Sequence, residues 1–204
     1  MALTRRPRQI GGIILALVVA CSGVIFVPRQ TPVSAAGALG AVPATKVVVF
    51  HPAGTAGSPQ RGTCDMGESL ALDRSDAWRC MVGNEIFDPC FSLVPHASSV
   101  ICDADPQHPT GIVVVLPAKL PSHGPAHNAQ AWMLRLGDGT ICGFLTGATG
   151  EIANQRINYG CTNKNEIIGS PQAQGAVQYA TVVKVDKNYK PISIFAISIA
   201  TIWK

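Results

Sequence analysis

The chain has 204 residues, 47% of them hydrophobic, with 16 basic and 12 acidic side chains and a formal net charge of +4. Four of the basic residues, Arg5, Arg6, Arg8 and Arg29, precede position 36 and no acidic residue does, so residues 36–204 carry 12 charges of each sign. A segment with no net charge and no Lys/Arg run has little counterion-release drive for a phosphate backbone, which excludes nucleic-acid binding.

The N-terminus has three parts. The basic cluster Arg5, Arg6 and Arg8 is followed by an apolar run of 18 residues from Ile10 to Val27, and then by the small residues Val33-Ser34-Ala35-Ala36. This is the layout of a secretory signal, so residues 1–27 are expected to be a signal peptide or an N-terminal membrane anchor. Three fates are open. Val33 and Ala35 suit a cut before Ala36. The run is also just long enough to span a hydrocarbon core of ~30 Å, with the arginines held on the cytoplasmic side. Third, Val18-Val19-Ala20-Cys21 is similar to a lipoprotein box, in which Cys21 would carry lipid. All three leave the remainder outside the cytoplasm, with membrane contact only through residues 10–27 if these are retained. Residues 28–45 are rich in Ala, Gly and Pro and read as a linker or cleavage region.

From residue 46 the apolar segments are short and β-branched: Lys46–Phe50, Ile112–Leu116, Ala131–Leu136, Thr140–Leu145, Val177–Val185 and Ile192–Trp203. Such runs, bounded by Gly, Pro, Asn and Asp, are strand signals. Asp138-Gly139 lies between two of them and favours a tight hairpin turn. On its first arm Trp132, Leu134 and Leu136 alternate with Met133 and Arg135, so one face is expected to be buried. Ser75–Val82 reads as a short helix, capped by Asp73 or Ser75 and ended by Gly83-Asn84. Ile192–Trp203 is apolar on both faces and is expected in the centre of a sandwich or barrel. The prediction is one mainly β domain over residues 46–204, sandwich or barrel-like, with at most one or two short helices. About 160 residues are enough for a single core.

Seven cysteines are present. Beyond Cys21, the six at Cys64, Cys80, Cys90, Cys102, Cys142 and Cys161 are an even number in a short exported segment, which reads as a disulfide framework. No Cys-x-x-Cys pair supports a zinc site, and no cofactor is expected. Cys142 lies just past the predicted turn, and Gly143–Gly150 supplies a return loop to a short strand at Arg156–Cys161. Cys142 is therefore expected to pair with Cys161. Cys64, Cys80, Cys90 and Cys102 would pair among themselves in one of three ways.

Two cysteine-centred stretches carry a likeness. Ala77-Trp78-Arg79-Cys80-Met81-Val82-Gly83-Asn84-Glu85-Ile86-Phe87-Asp88-Pro89-Cys90-Phe91, with Val100-Ile101-Cys102, forms the first. Asp138-Gly139-Thr140-Ile141-Cys142 and Arg156-Ile157-Asn158-Tyr159-Gly160-Cys161 form the second. Together they resemble a group of uncharacterised exported bacterial cysteine-rich proteins over about residues 62–203, departing at Asp65, where the pattern has Trp. The resemblance implies export and a common fold, and brings no activity.

Chemically suggestive residues have plainer readings. His123 and His127 have a metal-like spacing, but Gly124-Pro125 between them forbids a stable helix, leaving a polar loop. Asp103, Asp105 and His108 lie among Pro106 and Pro109, as in a turn-rich connection. Asp88 is a general-acid candidate only if a second carboxylate lies opposite. Trp78 and Arg79 read as core and rim. No nucleophile elbow, metalloprotease, phosphate-loop or dinucleotide motif is present. The expectation is an exported cell-envelope or secreted module, non-catalytic, with a protein, glycan or cell-wall partner. The alternative is a small secreted hydrolase with a His/carboxylate site. An exposed apolar patch would favour the first, and a His and a carboxylate converging in a cleft the second.

Overall fold

The computed structural model describes residues 41–122 and 131–204, and the described residues form strands and turns without a helix. The first half contributes β1 (Lys46–Val48), β2 (Gly54–Thr55), β3 (Gln60–Arg61), β4 (Ala77–Val82), β5 (Glu85–Phe91), β6 (Ser99–Cys102) and β7 (Thr110–Val115). The second contributes β8 (Met133–Leu136), β9 (Ile141–Phe144), β10 (Glu151–Ile152), β11 (Gln155–Cys161), β12 (Glu166–Gln174), β13 (Val177–Val185) and β14 (Pro191–Trp203). The mainly β, disulfide-stapled architecture expected from the sequence is the one observed.

The larger sheet runs β1-β14-β13-β12-β11-β9-β8, and β14 also pairs with β8. Strands β8, β9, β11, β12, β13 and β14 therefore form a ring, which removes sheet edges that would otherwise be open. Its interior takes side chains from each strand: Leu134 and Leu136, Cys142, Tyr159, Ile167, Ala180 and Val182, and Ile199 and Ile202. Ile199 and Ile202 differ in parity and would face opposite ways in a regular strand. A register shift between Ile199 and Thr201 lets both enter the core. The buried Tyr159 hydroxyl donates to the Ala131 carbonyl at 2.8 Å.

The hairpin forms where Asp138-Gly139 predicts it, as a three-residue loop. Leu136 N–H donates to Thr140 O at 2.9 Å, Gly139 N–H to Leu136 O at 3.0 Å, and only Gly139 of the turn takes positive φ, at 89°. Trp132, Leu134 and Leu136 are all buried, Leu134 and Leu136 in the ring's interior but Trp132 in the cluster that meets the first half of the chain. Met133 is buried in that same cluster.

The smaller sheet runs β2-β7-β6-β5-β4, with β3 also on β7. Beyond β3 the chain crosses to β4. Thr63 and Met81 exchange both backbone hydrogen bonds, at 2.9 and 2.7 Å, and Arg79 N–H reaches Gly67 O at 3.0 Å. Residues 60–69 thus close a second, smaller ring, filled by Trp78, Val100, Val114, Leu116 and the cysteines 64, 80, 90 and 102.

An aromatic seam joins the two sheets. Phe50, Phe91 and Trp132 lie with ring centroids 5.2 to 5.7 Å apart, within a cluster that includes Leu72, Met133 and Trp203. Arg74 sits over the Phe91 ring at 5.3 Å, donates to Phe50 O at 2.5 Å and Lys204 O at 3.2 Å, and holds Asp76 through two nitrogens.

Three expectations need correction. Ser75–Val82 is not a helix: Ala77–Val82 is strand β4, in which Trp78 and Cys80 face the small ring's core while Met81 is exposed. Alternation of period two, with β5 available across Gly83-Asn84, outweighs the capping signal. Ile192–Trp203 is central only in its C-terminal part, since Ile192, Ile194 and Phe195 are exposed. The linker ends before Thr45, whose hydroxyl donates to Ile199 O and accepts from Gln178 N–H, each at 2.7 Å, so Thr45 belongs to the barrel.

Candidate functional site

Cys64 bonds Cys80, Cys90 bonds Cys102, and Cys142 bonds Cys161. The split between the first four cysteines and the last two is as expected, and one of the three open connectivities is selected. Three disulfides point to an oxidising, extracytoplasmic environment. The sulfurs of Cys80, Cys90 and Cys102 all lie within 4.8 Å of one another. Each is already in a disulfide and so is no thiolate ligand; the cluster is two bonds crowded into one core.

The other sequence candidates fall in distinct places. Asp105 closes its own turn, accepting from Gln107 and His108 N–H at 2.6 and 2.7 Å, with His108 Nδ1 3.4 Å away on an exposed surface. Asp103 takes a φ of 58° beside it. Asp88 is buried, accepting from the Ser69 hydroxyl at 2.5 Å and Leu70 N–H at 3.1 Å, with Arg79 Nε at 3.9 Å. Burial pushes its carboxyl above the usual range, against the pull of Ser69, Leu70 and Arg79. Ser69 in turn accepts from Ala71 and Leu72 N–H at 3.1 and 3.0 Å. None of these partners is a second carboxylate, so the cluster orders the Ser69–Leu72 turn and Asp88 has no acid–base partner in it. Trp78 is core and Arg79 is rim, as read from sequence. Cys21, the run 10–27, His123 and His127 lie outside the described residues; within these, no helix is long and apolar enough to cross a membrane.

Two places that no motif marked stand out. The first is a cleft of about 310 Å³ between the Leu93–His96 loop and Leu120–Ser122. His96 Nδ1 lies 3.1 Å from Leu120 O and Nε2 lies 3.3 Å from Ser122 Oγ. A carbonyl only accepts, so the proton belongs on Nδ1 and Nε2 is free to accept from the serine. Asp76 lines the same cleft, but its carboxylate is held by Arg74.

The second is the end of the β13–β14 hairpin. Glu166, Val183 and Ile194 share one register across β12, β13 and β14, so they point to the same outward face. Val183 is covered there by Ile152 and Ile168, whereas Ile194 is 48% and Ile192 61% exposed. Strand β14 pairs with β13 along this stretch and with β8 only from Ile199 onward. From Ile192 to Ile197 its other edge has no strand partner among the described residues, and the sequence there, ISIFAI, has no charge. Beside it lies an open cavity of about 400 Å³ lined by Leu145, Thr149, Ile152, Ile157, Glu166 and Tyr189. The buried Glu166 Oε2 and Thr149 Oγ1 have no hydrogen-bond partner among the described residues, and burial raises the Glu166 pKa. Sequence reading missed this face because an apolar strand is legible as buried, and only tertiary pairing decides how far the barrel covers it.

No family model matches the chain, and no curated protein or solved structure is similar to it at a significant level.

Proposed function

We propose that this chain is an exported cell-envelope module that binds a protein partner by adding a strand to the free edge of β14. The observation that carries it is the uncharged Ile192–Ile197 edge with Ile192, Ile194 and Phe195 exposed. Proteins ordinarily protect such edges with charge, proline or cover, and an extended peptide recognises an open one through main-chain hydrogen bonds. Export rests on the basic cluster Arg5-Arg6-x-Arg8, the run 10–27 and the three disulfides, with the N-terminal segment acting as a cleaved signal, an anchor or, through Cys21, a lipid attachment site. The likeness of the cysteine motifs to uncharacterised exported bacterial proteins supports the same placement.

The test is photocrosslinking in the producing cell from position 194, with the exposed position 107 as the control. One envelope protein joined at 194, absent at 107 and lost on Ile192→Lys, is the expected result. No adduct at 194, or recovery of the intact chain in the soluble cytoplasm, would overturn the reading.

A second reading rests on the Ser122–His96 pair. In a hydrolase of this kind His96, oriented by Leu120 O, would take the Ser122 proton as the oxygen attacks an ester carbonyl. Labelling of Ser122 by a fluorophosphonate, abolished by His96→Ala, is the outcome that supports it. No labelling removes it.

A further inference from the structure

The two disulfides of the small ring share one core, and they differ in access. Cys80, Cys90 and Cys102 are 0% exposed, whereas Cys64 is 8% exposed and lines a cleft of about 180 Å³ with Asp65, Gly67, Lys119 and Pro121. Among the four, Cys64 is therefore the one residue that an external thiolate meets at the surface, in a cleft lined by one charge of each sign, Asp65 and Lys119. Behind that entry, the Cys80 sulfur lies within 4.8 Å of both Cys90 and Cys102. Thiol–disulfide exchange needs only a thiolate within reach of a disulfide sulfur.

We infer that Cys64 is a thiol-capture site, loaded by a small thiol or a partner's cysteine and locked by exchange between the two buried disulfides. The steps balance without any oxidant. The incoming thiolate attacks Cys64 Sγ, forming a mixed disulfide, and the Cys64–Cys80 bond breaks with its electron pair on Cys80. The Cys80 thiolate then attacks Cys90 or Cys102, and the displaced sulfur leaves as a thiolate that is protonated from solvent. Every disulfide broken is replaced by another, so the ring keeps one internal crosslink while Cys64 carries the captured group. The internal step opposes back-reaction, because Cys80 is no longer free to expel the newcomer. What permits the transfer is reach, since the Cys80 sulfur lies within 4.8 Å of both alternative partners.

The experiment treats the oxidised full chain with limiting glutathione or, in a separate arm, a short cysteine peptide, then quenches with acid, alkylates and maps the peptides. The expected result is the thiol on Cys64, Cys80 joined to Cys90 or Cys102, and loss of the Cys90–Cys102 peptide in step with the capture. Cys142–Cys161 stays intact throughout. Capture at Cys90 or Cys102 first, or an alkylated Cys80 beside an intact Cys90–Cys102 bond, overturns the inference. Capture of glutathione alone, or of the peptide alone, identifies which source the site takes. Cys64→Ser provides a second readout independent of the cleft, in which Cys80 should be found bonded to Cys90 or Cys102. If that variant does not fold, the wild-type mapping still decides.

Discussion

Cys142 and Cys161 are direct cross-strand partners on β9 and β11, with Cα atoms 4.0 Å apart and a disulfide between them. The bond therefore clamps neighbouring strands at one point of the large ring, and Cys142 packs inward with Leu134 and Tyr159. It closes a loop with a sequence separation of 19 residues, for which chain entropy gives about 3 kcal/mol. Replacing both cysteines by alanine is expected to lower the unfolding free energy by about that amount, measured by urea denaturation of the oxidised protein. A loss well under 1 kcal/mol would mean that the unfolded chain already keeps this segment compact without the bond.

Local chemistry explains how much of this was readable. The Asp138-Gly139 hairpin, β13 and the Cys142–Cys161 pairing follow from short-range signals: a turn dipeptide, an apolar run and a return loop. Strands β5 and β12 escaped because Pro89 interrupts one and Gly169-Ser-Pro171 the other, so neither reads as an apolar run. The supposed helix at Ser75–Val82 failed because capping residues are also turn residues, and pairing with β5 decided between them. Closure of either ring is a long-range fact, set by β14 against β8 and by residues 60–69 against β4, and sequence spacing does not encode it. The Ser122–His96 pair is likewise a meeting of two loops with no motif behind it.

The small ring should be intolerant of side chains at two glycines. A Cβ at Gly111 would lie 2.2 Å from Cys102 O and 2.8 Å from Ile101 Cγ2, and one at Gly62 would lie 2.5 Å from Met81 O. Backbone oxygens cannot rotate away, so Gly111→Ala and Gly62→Ala are each expected to cost about 1–3 kcal/mol. Gly143→Ala, with nothing within 4 Å of its Cβ, is the control and should change thermal stability little. Equal melting temperatures for all three would show that the strands do not approach as closely as described.

Arg74 joins both sheets to the C-terminus through Phe50 O and Lys204 O while paired with Asp76. Its side chain is only 15% exposed, so its loss leaves Asp76 and Phe50 O without their donor, while Lys204 O keeps the Phe50 N–H at 2.8 Å. Arg74→Ala is expected to lower stability by roughly 2 kcal/mol or more, because bonds to charged groups are the stronger kind. Arg74→Lys should recover only part of this, since an ammonium cannot reproduce the paired contact to Asp76. Full rescue by lysine in a denaturant titration would show that charge alone matters there.

Glu166 gives the pH test. Burial raises its pKa above the ordinary value of 4.5, so the folded state binds its proton more tightly than the unfolded state does. The stability associated with that proton is fully present below pH 4.5 and is lost as pH rises through the raised folded value. Above that raised value the carboxylate is ionised at a cost, and its Oε2 has no compensating partner among the described residues. Glu166→Gln removes the charge at every pH. The variant is expected to melt above the wild type at pH 7 to 8, with the gap closing as pH falls below 4.5. Asp88, whose pKa is also raised by burial, titrates in both proteins and cancels in the difference. Paired thermal melts across this range read the effect directly; a gap that is constant with pH would assign it to packing, and a variant less stable at neutral pH would show that the carboxylate is held by a donor after all.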